Sequence, residues 1–315
     1  MGIKTYISSI PILLLLIALP HFLSSYMIHL AIISYYYVIL AVCWNLLAGY
    51  TGQFSLAQHA FAAIGAYTAA LLAVHLNIHP IFGIASGGLV ATGWSLLIGR
   101  LVLKMRAIYL ALATWAFAES SRLFIAMEYE WTRGDLGLPI PFNMMLYGPK
   151  ALTPYHYYYT MLIMMVSILL IIYKIINSKI GLFARSIRED EVAARMMGVD
   201  VVKVKLFIFS ITGLFSGLAG GLYAHYMGLL SPSLISFYEM AIIIIMVIIG
   251  GFGTFWGPII GAPFIYILSE MTRAYGEIRM VVFAAVVIII IRFFNRGLTG
   301  LPLLFKRLLP ILRPR

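Results

Sequence analysis

Between Asn45 and His59 an otherwise apolar chain carries six polar side chains, Asn45, Thr51, Gln53, Ser55, Gln58 and His59. Polar groups at membrane depth are costly unless they face protein partners or a water-filled passage. They could line a translocation path. They could also hydrogen-bond between helices, at under ~1 kcal/mol per contact. All six are neutral or weakly basic, which suits a cargo that is uncharged or zwitterionic overall. Glu119 and Arg122 lie three apart and can pair on one helix face. An ion relay is one use of such a pair; their place in the outer third of a span favours a neutralising structural pair. Glu239, Glu270, Arg273, Glu277 and Arg279 all map to the outer boundary, where they could meet an external partner or stand as solvated ends.

Chemistry of other kinds has no residues to work with. The chain has no phosphate loop of the form Gly-x4-Gly-Lys-Ser/Thr, no nucleophile elbow, no zinc motif and no Cys/His cluster at metal spacing. Gly251-Phe252-Gly253 begins like a dinucleotide fingerprint, but Trp256 holds the third glycine position and no strand-helix unit surrounds it. The expectation is a chain without catalytic residues, metal or cofactor of its own. Uphill transport would draw on a partner or an ion gradient.

Water-facing chemistry concentrates in Lys174 to Lys205, a charged segment between two apolar runs, containing Arg188-Glu189-Asp190-Glu191-Val192-Ala193-Ala194-Arg195-Met196-Met197-Gly198. The reading is one short amphipathic helix, with Asp190 or Ser186 capping its first turn and acidic residues near its positive end. Gly198 suits the left-handed residue after a helix. Val192, Ala193, Met196 and Met197 share a face by three-and-four spacing. That face fits the groove of a soluble partner or the lipid headgroups, and spacing leaves both open.

These elements must be held in a bilayer. Hydrophobic residues make up 63% of 315 positions and charged residues 10%, against roughly 25% charged in a soluble domain. The net charge of +11 does not point to nucleic acid, because the basic residues gather at Arg100/Lys104/Arg106, Lys174 to Lys205 and Arg292 to Arg315. Those are edges of apolar runs, the pattern of cytoplasmic loops. The lone Cys43 reads as a packing residue. Met1 to Pro20 mimics a signal peptide, and we read it as an uncleaved first span.

A span needs about 20 apolar residues. The candidates are 6–22, 27–48, 60–76, 81–103, 107–127, 155–173, 205–228, 239–252, 257–272 and 278–294. The fold expected is therefore an all-α, polytopic membrane helix bundle of about 10 (8–10) transmembrane helices, with both termini cytoplasmic. In the eight-crossing version 239–272 forms a re-entrant pair. Residues 1–315 make a single transmembrane domain, with 174–205 as a cytoplasmic loop, 128–154 as the longest external loop and 295–315 as a basic cytoplasmic tail.

Small residues at helical spacing, Gly213/Gly217/Gly221 and Gly253/Gly257/Gly261, allow close helix approach in lipid, where apolar surface alone cannot drive association. Gly49-x-x-Gly52 followed by Gly65-Ala66 also parallels Gly250-x-x-Gly253 followed by Gly261-Ala262, a weak internal repeat. Such paired interruptions, here with Gly251 and Pro258, point to a transport path.

These residues together resemble a known family. From about Tyr35 to Gly300 the chain is similar to the membrane permease subunits of ABC importers for branched-chain amino acids, the LivM-type branch. The resemblance is carried by Gly52-Gln53-Phe54-Ser55-Leu56-Ala57-Gln58-His59-Ala60-Phe61 with Gly65-Ala66-Tyr67, where Ala57 and Gln58 replace the expected glycine and histidine. Tyr109 to Thr114 and Thr132 to Leu138 carry it further, with Arg133 in place of a usual glycine. So do Arg185 to Gly198, with its Ala-Ala-x3-Gly ending, and Gly250 to Ala262. The resemblance implies an inner-membrane importer of leucine, isoleucine or valine, although related permeases carry urea or short amides. It implies a second homologous permease subunit, two cytoplasmic ATPase subunits that hold the ATP, and an extracytoplasmic substrate-binding protein. Arg188, Glu189, Asp190, Glu191, Ala193, Ala194, Met197 and Gly198 would couple to the ATPase. An ion-coupled secondary transporter is the competing reading.

Overall fold

The computed structural model describes residues 11, 15–105, 107–149, 153–272 and 297–300, with isolated positions between 281 and 292. Most of the expected first span 6–22, the expected last span 278–294 and nearly all of the tail 295–315 lie outside the described residues, as do Arg273, Glu277 and Arg279.

Eight long helices carry the described bundle: α1 (Ser25–Thr51), α2 (Gln58–Leu76), α3 (Pro80–Val102), α4 (Ala107–Met127), α5 (Pro154–Ile176), then, after two shorter helices, α8 (Val201–Met227), α9 (Phe237–Gly251) and α10 (Trp256–Met271). The shorter two, α6 (Lys179–Glu189) and α7 (Glu191–Met196), occupy the expected cytoplasmic segment. The borders expected from apolar run length fall within four residues of these. Polar caps set several of them: Ser24 accepts from the Met27 amide, Ser236 from that of Glu239, and His79 precedes Pro80 at the first turn of α3. Among the described residues five helices, α1, α2, α3, α5 and α8, are long and apolar enough to cross a membrane.

α1 is the centre. It is apolar all round, and 89% of its most apolar stretch is buried, because α5, α8, α9 and α10 all pack against it. α8 lies in a groove between α2 and α3. At their crossing Gly65, Gly87 and Gly217 bring three backbones together: a Cβ on Gly65 would stand 2.2 Å from the Gly217 carbonyl oxygen, and one on Gly87 2.4 Å from that of Gly65. Gly213 meets Ser95 in the same groove.

α9 and α10 form a hairpin in which Gly250 touches Gly257 and Gly261 touches Met246 and Gly250. With 15 and 16 residues they measure about 22 and 24 Å, short of the ~30 Å hydrocarbon layer. The hairpin nevertheless runs along most of α1. Tyr26 near the start of α1 donates to Glu270 at 3.1 Å, and Asn45 near its end donates to the Thr254 carbonyl at 2.8 Å.

α2 begins inside the bundle and not at its edge. After Gly52 the chain folds back along α1, so that the Trp44 indole donates to the Ser55 carbonyl at 2.8 Å. Gln58 then reaches the Thr212 carbonyl of α8 at 3.2 Å. At the opposite end Leu138–Pro139 pairs antiparallel with Leu229–Leu230, tying the loop after α4 to the turn after α8.

Candidate coupling site and translocation path

The charged segment 174–205 departs from expectation in one respect: two helices stand where one was expected. Ser178 caps α6 through the Ile180 amide, and Gly181, Ala184 and Ile187 turn inward. α6 ends at Asp190, whose extended backbone (φ −153°, ψ 110°) redirects the chain. The Asp190 carboxylate accepts from the Val192 and Ala193 amides at 2.8 and 3.0 Å, which starts α7. Asp190 is therefore the cap. Ser186 sits within α6 and donates to the Phe183 carbonyl at 2.9 Å. Arg188 and Glu189 belong to the last turn of α6. Glu191, Ala193 and Ala194 belong to α7, which Met197 ends, and Gly198 follows at φ +83°.

Ala194 fastens α7 to Ile187 and Val201 in a small apolar core. Glu191 accepts from Lys205 at 2.7 Å and from Arg195 at 3.2 Å. Lys205 is nearly buried, so this pair ties α7 to the base of α8. Lys205 was not singled out in the sequence; it lies fourteen positions from its partner, beyond helical spacing. Val192, Met196 and Met197 are 68%, 84% and 87% exposed. The face predicted for them projects away from the bundle.

Arg188 joins this segment to the bundle. Its guanidinium donates to the Gly49 carbonyl and lies 5.3 Å from the centre of the Phe252 ring. Its stem crosses Gly52, where a Cβ would stand 3.5 Å from the arginine Cγ, and a Cβ on Gly253 would stand 2.7 Å from its Nη1. Gly52 and Gly253 take φ +72° and +73°. The two glycine turns noted as a weak repeat thus meet in space. Asn45 Oδ1 accepts from the Gly253 amide at 2.9 Å while its Nδ2 holds Thr254. Thr254 donates to the Gly251 carbonyl at 2.8 Å and accepts from the Gly257 amide. Pro258 is buried in the first turn of α10, where its missing amide costs nothing.

The polar run is buried throughout. Asn45 binds the α9–α10 turn, Thr51 donates to the Leu47 carbonyl at 2.6 Å, and Ser55 accepts from the Ala57 amide. Gln58 donates to Ser216 and Thr212 of α8. His59 sits where α2 passes the Pro232–Ile235 turn. Gln53 is 3% exposed, and neither its amide nitrogen nor its amide oxygen meets a protein partner, as is also the case for the two ring nitrogens of His59. Glu119 and Arg122 pair at 2.5 Å on α4, each about one-third exposed.

Comparison with known proteins gives the chain a family. Residues 26–291 match the family described as branched-chain amino acid transport system / permease component. The chain is 27% identical over 99% of its length to the high-affinity branched-chain amino acid transport system permease protein LivM of Escherichia coli K12, covering 77% of that protein, and equally similar to LivM of Salmonella typhimurium LT2. A shorter likeness, 26% over 39% of the chain and 41% of the relative, links it to the ribose import permease protein RbsC of Escherichia coli K12. No solved structure matches the chain.

Proposed function

Because the chain belongs to the family of branched-chain amino acid transport permease components, we propose that it is one of two permease subunits of an ATP-driven importer of leucine, isoleucine and valine in the cytoplasmic membrane. Two ATPase subunits dock on α6–α7, and an external binding protein delivers the cargo. Both termini lie on the cytoplasmic side. The observation that carries this reading is the exposed Val192/Met196/Met197 face on a segment whose Arg188 grips both glycine turns. A helix bound in a groove of the ATPase would move with it, and Arg188 would pass that motion to α1 and to the α9–α10 hairpin as a rigid-body shift. Gln53, buried without a protein partner beside this junction, lines the passage.

Reconstitution tests the reading. Vesicles holding this chain, its partner permease and the ATPase pair should accumulate leucine only with internal ATP and the external binding protein. Accumulation by this chain alone, driven by a proton or sodium gradient, would overturn it.

A further inference from the structure

Of the three carboxylates on the long helices among the described residues, Glu119, Glu239 and Glu270, the first two have surroundings that differ in kind. Glu119 is neutralised by Arg122, one turn away. Glu239, in the first turn of α9, has no cationic side chain beside it among the described residues; its carboxylate accepts from the Tyr37 hydroxyl at 2.7 Å. Tyr37 stands at the middle of α1, twelve residues from Gly49, or about 18 Å along the helix. Glu239 therefore lies deep between the outer face and the coupling junction, and not at the outer boundary expected from the sequence. An ionisable group at that depth is expensive to keep unless it has a use.

Aromatic rings surround it. The Tyr36 ring stacks on that of Tyr223 of α8 with centroids 4.5 Å apart and planes at 27°. The Tyr37 ring meets Tyr266 of α10 at 5.4 Å. Glu239, Tyr37 and Tyr223 are only partly buried, whereas Tyr36 is buried. Four helices thus bring one carboxylate and four tyrosine rings together. A carboxylate supplies the charge that an ammonium needs, and aromatic faces attract the same cation without hydrating it.

We propose that Tyr36, Tyr37, Tyr223 and Glu239 form the site that holds the ammonium group of the cargo in transit. The ligand class is then a compound bearing a primary ammonium, such as a zwitterionic amino acid; urea and neutral short amides are excluded as cargo. This rests on the transport reading above and narrows it.

The test uses the complete importer in vesicles and two readouts. A membrane-soluble carbodiimide should label Glu239, scored by mass spectrometry. Leucine and leucinamide, both ammonium-bearing, should slow that labelling roughly fivefold or more, whereas 4-methylpentanoate and 4-methylpentanamide, which lack the ammonium, should not. Equal slowing by all four, or by none, overturns the site. Glu239→Gln keeps the hydrogen bond from Tyr37 but loses the charge. It should cut leucine uptake roughly tenfold while ATP hydrolysis stimulated by the loaded binding protein persists. Wild-type uptake by Glu239→Gln would also overturn the site and leave the importer reading intact. If the variant does not assemble, the labelling result on the wild-type complex decides. Absence of ATP-driven leucine uptake by the wild type would instead count against the importer reading, with the labelling experiment still deciding the ammonium site.

Discussion

At the scale of single residues, Arg188 does two jobs that lysine cannot combine: it donates to the Gly49 carbonyl and lays a flat cation on Phe252. Hydrogen bonds to charged groups contribute about 1.5–3 kcal/mol. Arg188→Ala should therefore lower coupled uptake roughly tenfold while the ATPase pair still copurifies, and Arg188→Lys should fall between; unchanged uptake in both would remove Arg188 from the coupling route. Arg133 offers a stability test. It takes φ +60°, in the left-handed region that glycine enters freely and other L-residues enter at a cost of about 1–2 kcal/mol. Because Arg133 is exposed, Arg133→Gly should leave the melting temperature unchanged or raise it slightly, and a fall of several degrees would show that the side chain is needed. The sequence marked Arg133 only as an unusual residue in a familiar motif, and the backbone angle supplies the physical meaning.

At the scale of elements, helix approach is decided by small residues, and the structure separates those that matter from those that do not. Gly65→Ala would place a methyl group 2.2 Å from the Gly217 carbonyl oxygen, against backbone that cannot swing aside. Overpacking of this kind costs about 1–3 kcal/mol, so the variant should melt lower and yield less protein in membranes. Gly93, also in a helix, has nothing within 4 Å of an added Cβ, and Gly93→Ala should be neutral or gain up to about 1 kcal/mol. Equal behaviour of the two variants would refute the crossing of α2, α3 and α8. Spacing alone picked out Gly213, Gly217, Gly253, Gly257 and Gly261 as close-approach residues but could not name what each approaches. The break between α6 and α7 was likewise invisible as a break. Asp190 read as a cap, yet a cap in the middle of a helical pattern only becomes a boundary once the side chain wins the Val192 and Ala193 amides.

At the scale of the whole molecule, the α6–α7 face, Arg188 and the glycine turns share one end, and the Leu138–Leu230 ladder lies at the other. We expect the first end to be cytoplasmic. Cys43 is fully buried, so a membrane-impermeant maleimide should leave the native chain unlabelled. Val192→Cys should react in inverted membrane vesicles and not in intact cells; the reverse pattern would place the coupling segment outside. What the sequence determined by itself is the eight long helices between Ser25 and Met271, because a bilayer demands long apolar runs and that demand is written locally, run by run. What only the tertiary structure decided is which polar groups meet: Arg188 with a carbonyl 139 positions away, Asn45 with a turn 208 away, Tyr37 with a carboxylate 202 away. Those pairings depend on how helices pack once lipid has fixed their lengths, and packing in lipid turns on the fit of small surfaces that no local pattern encodes.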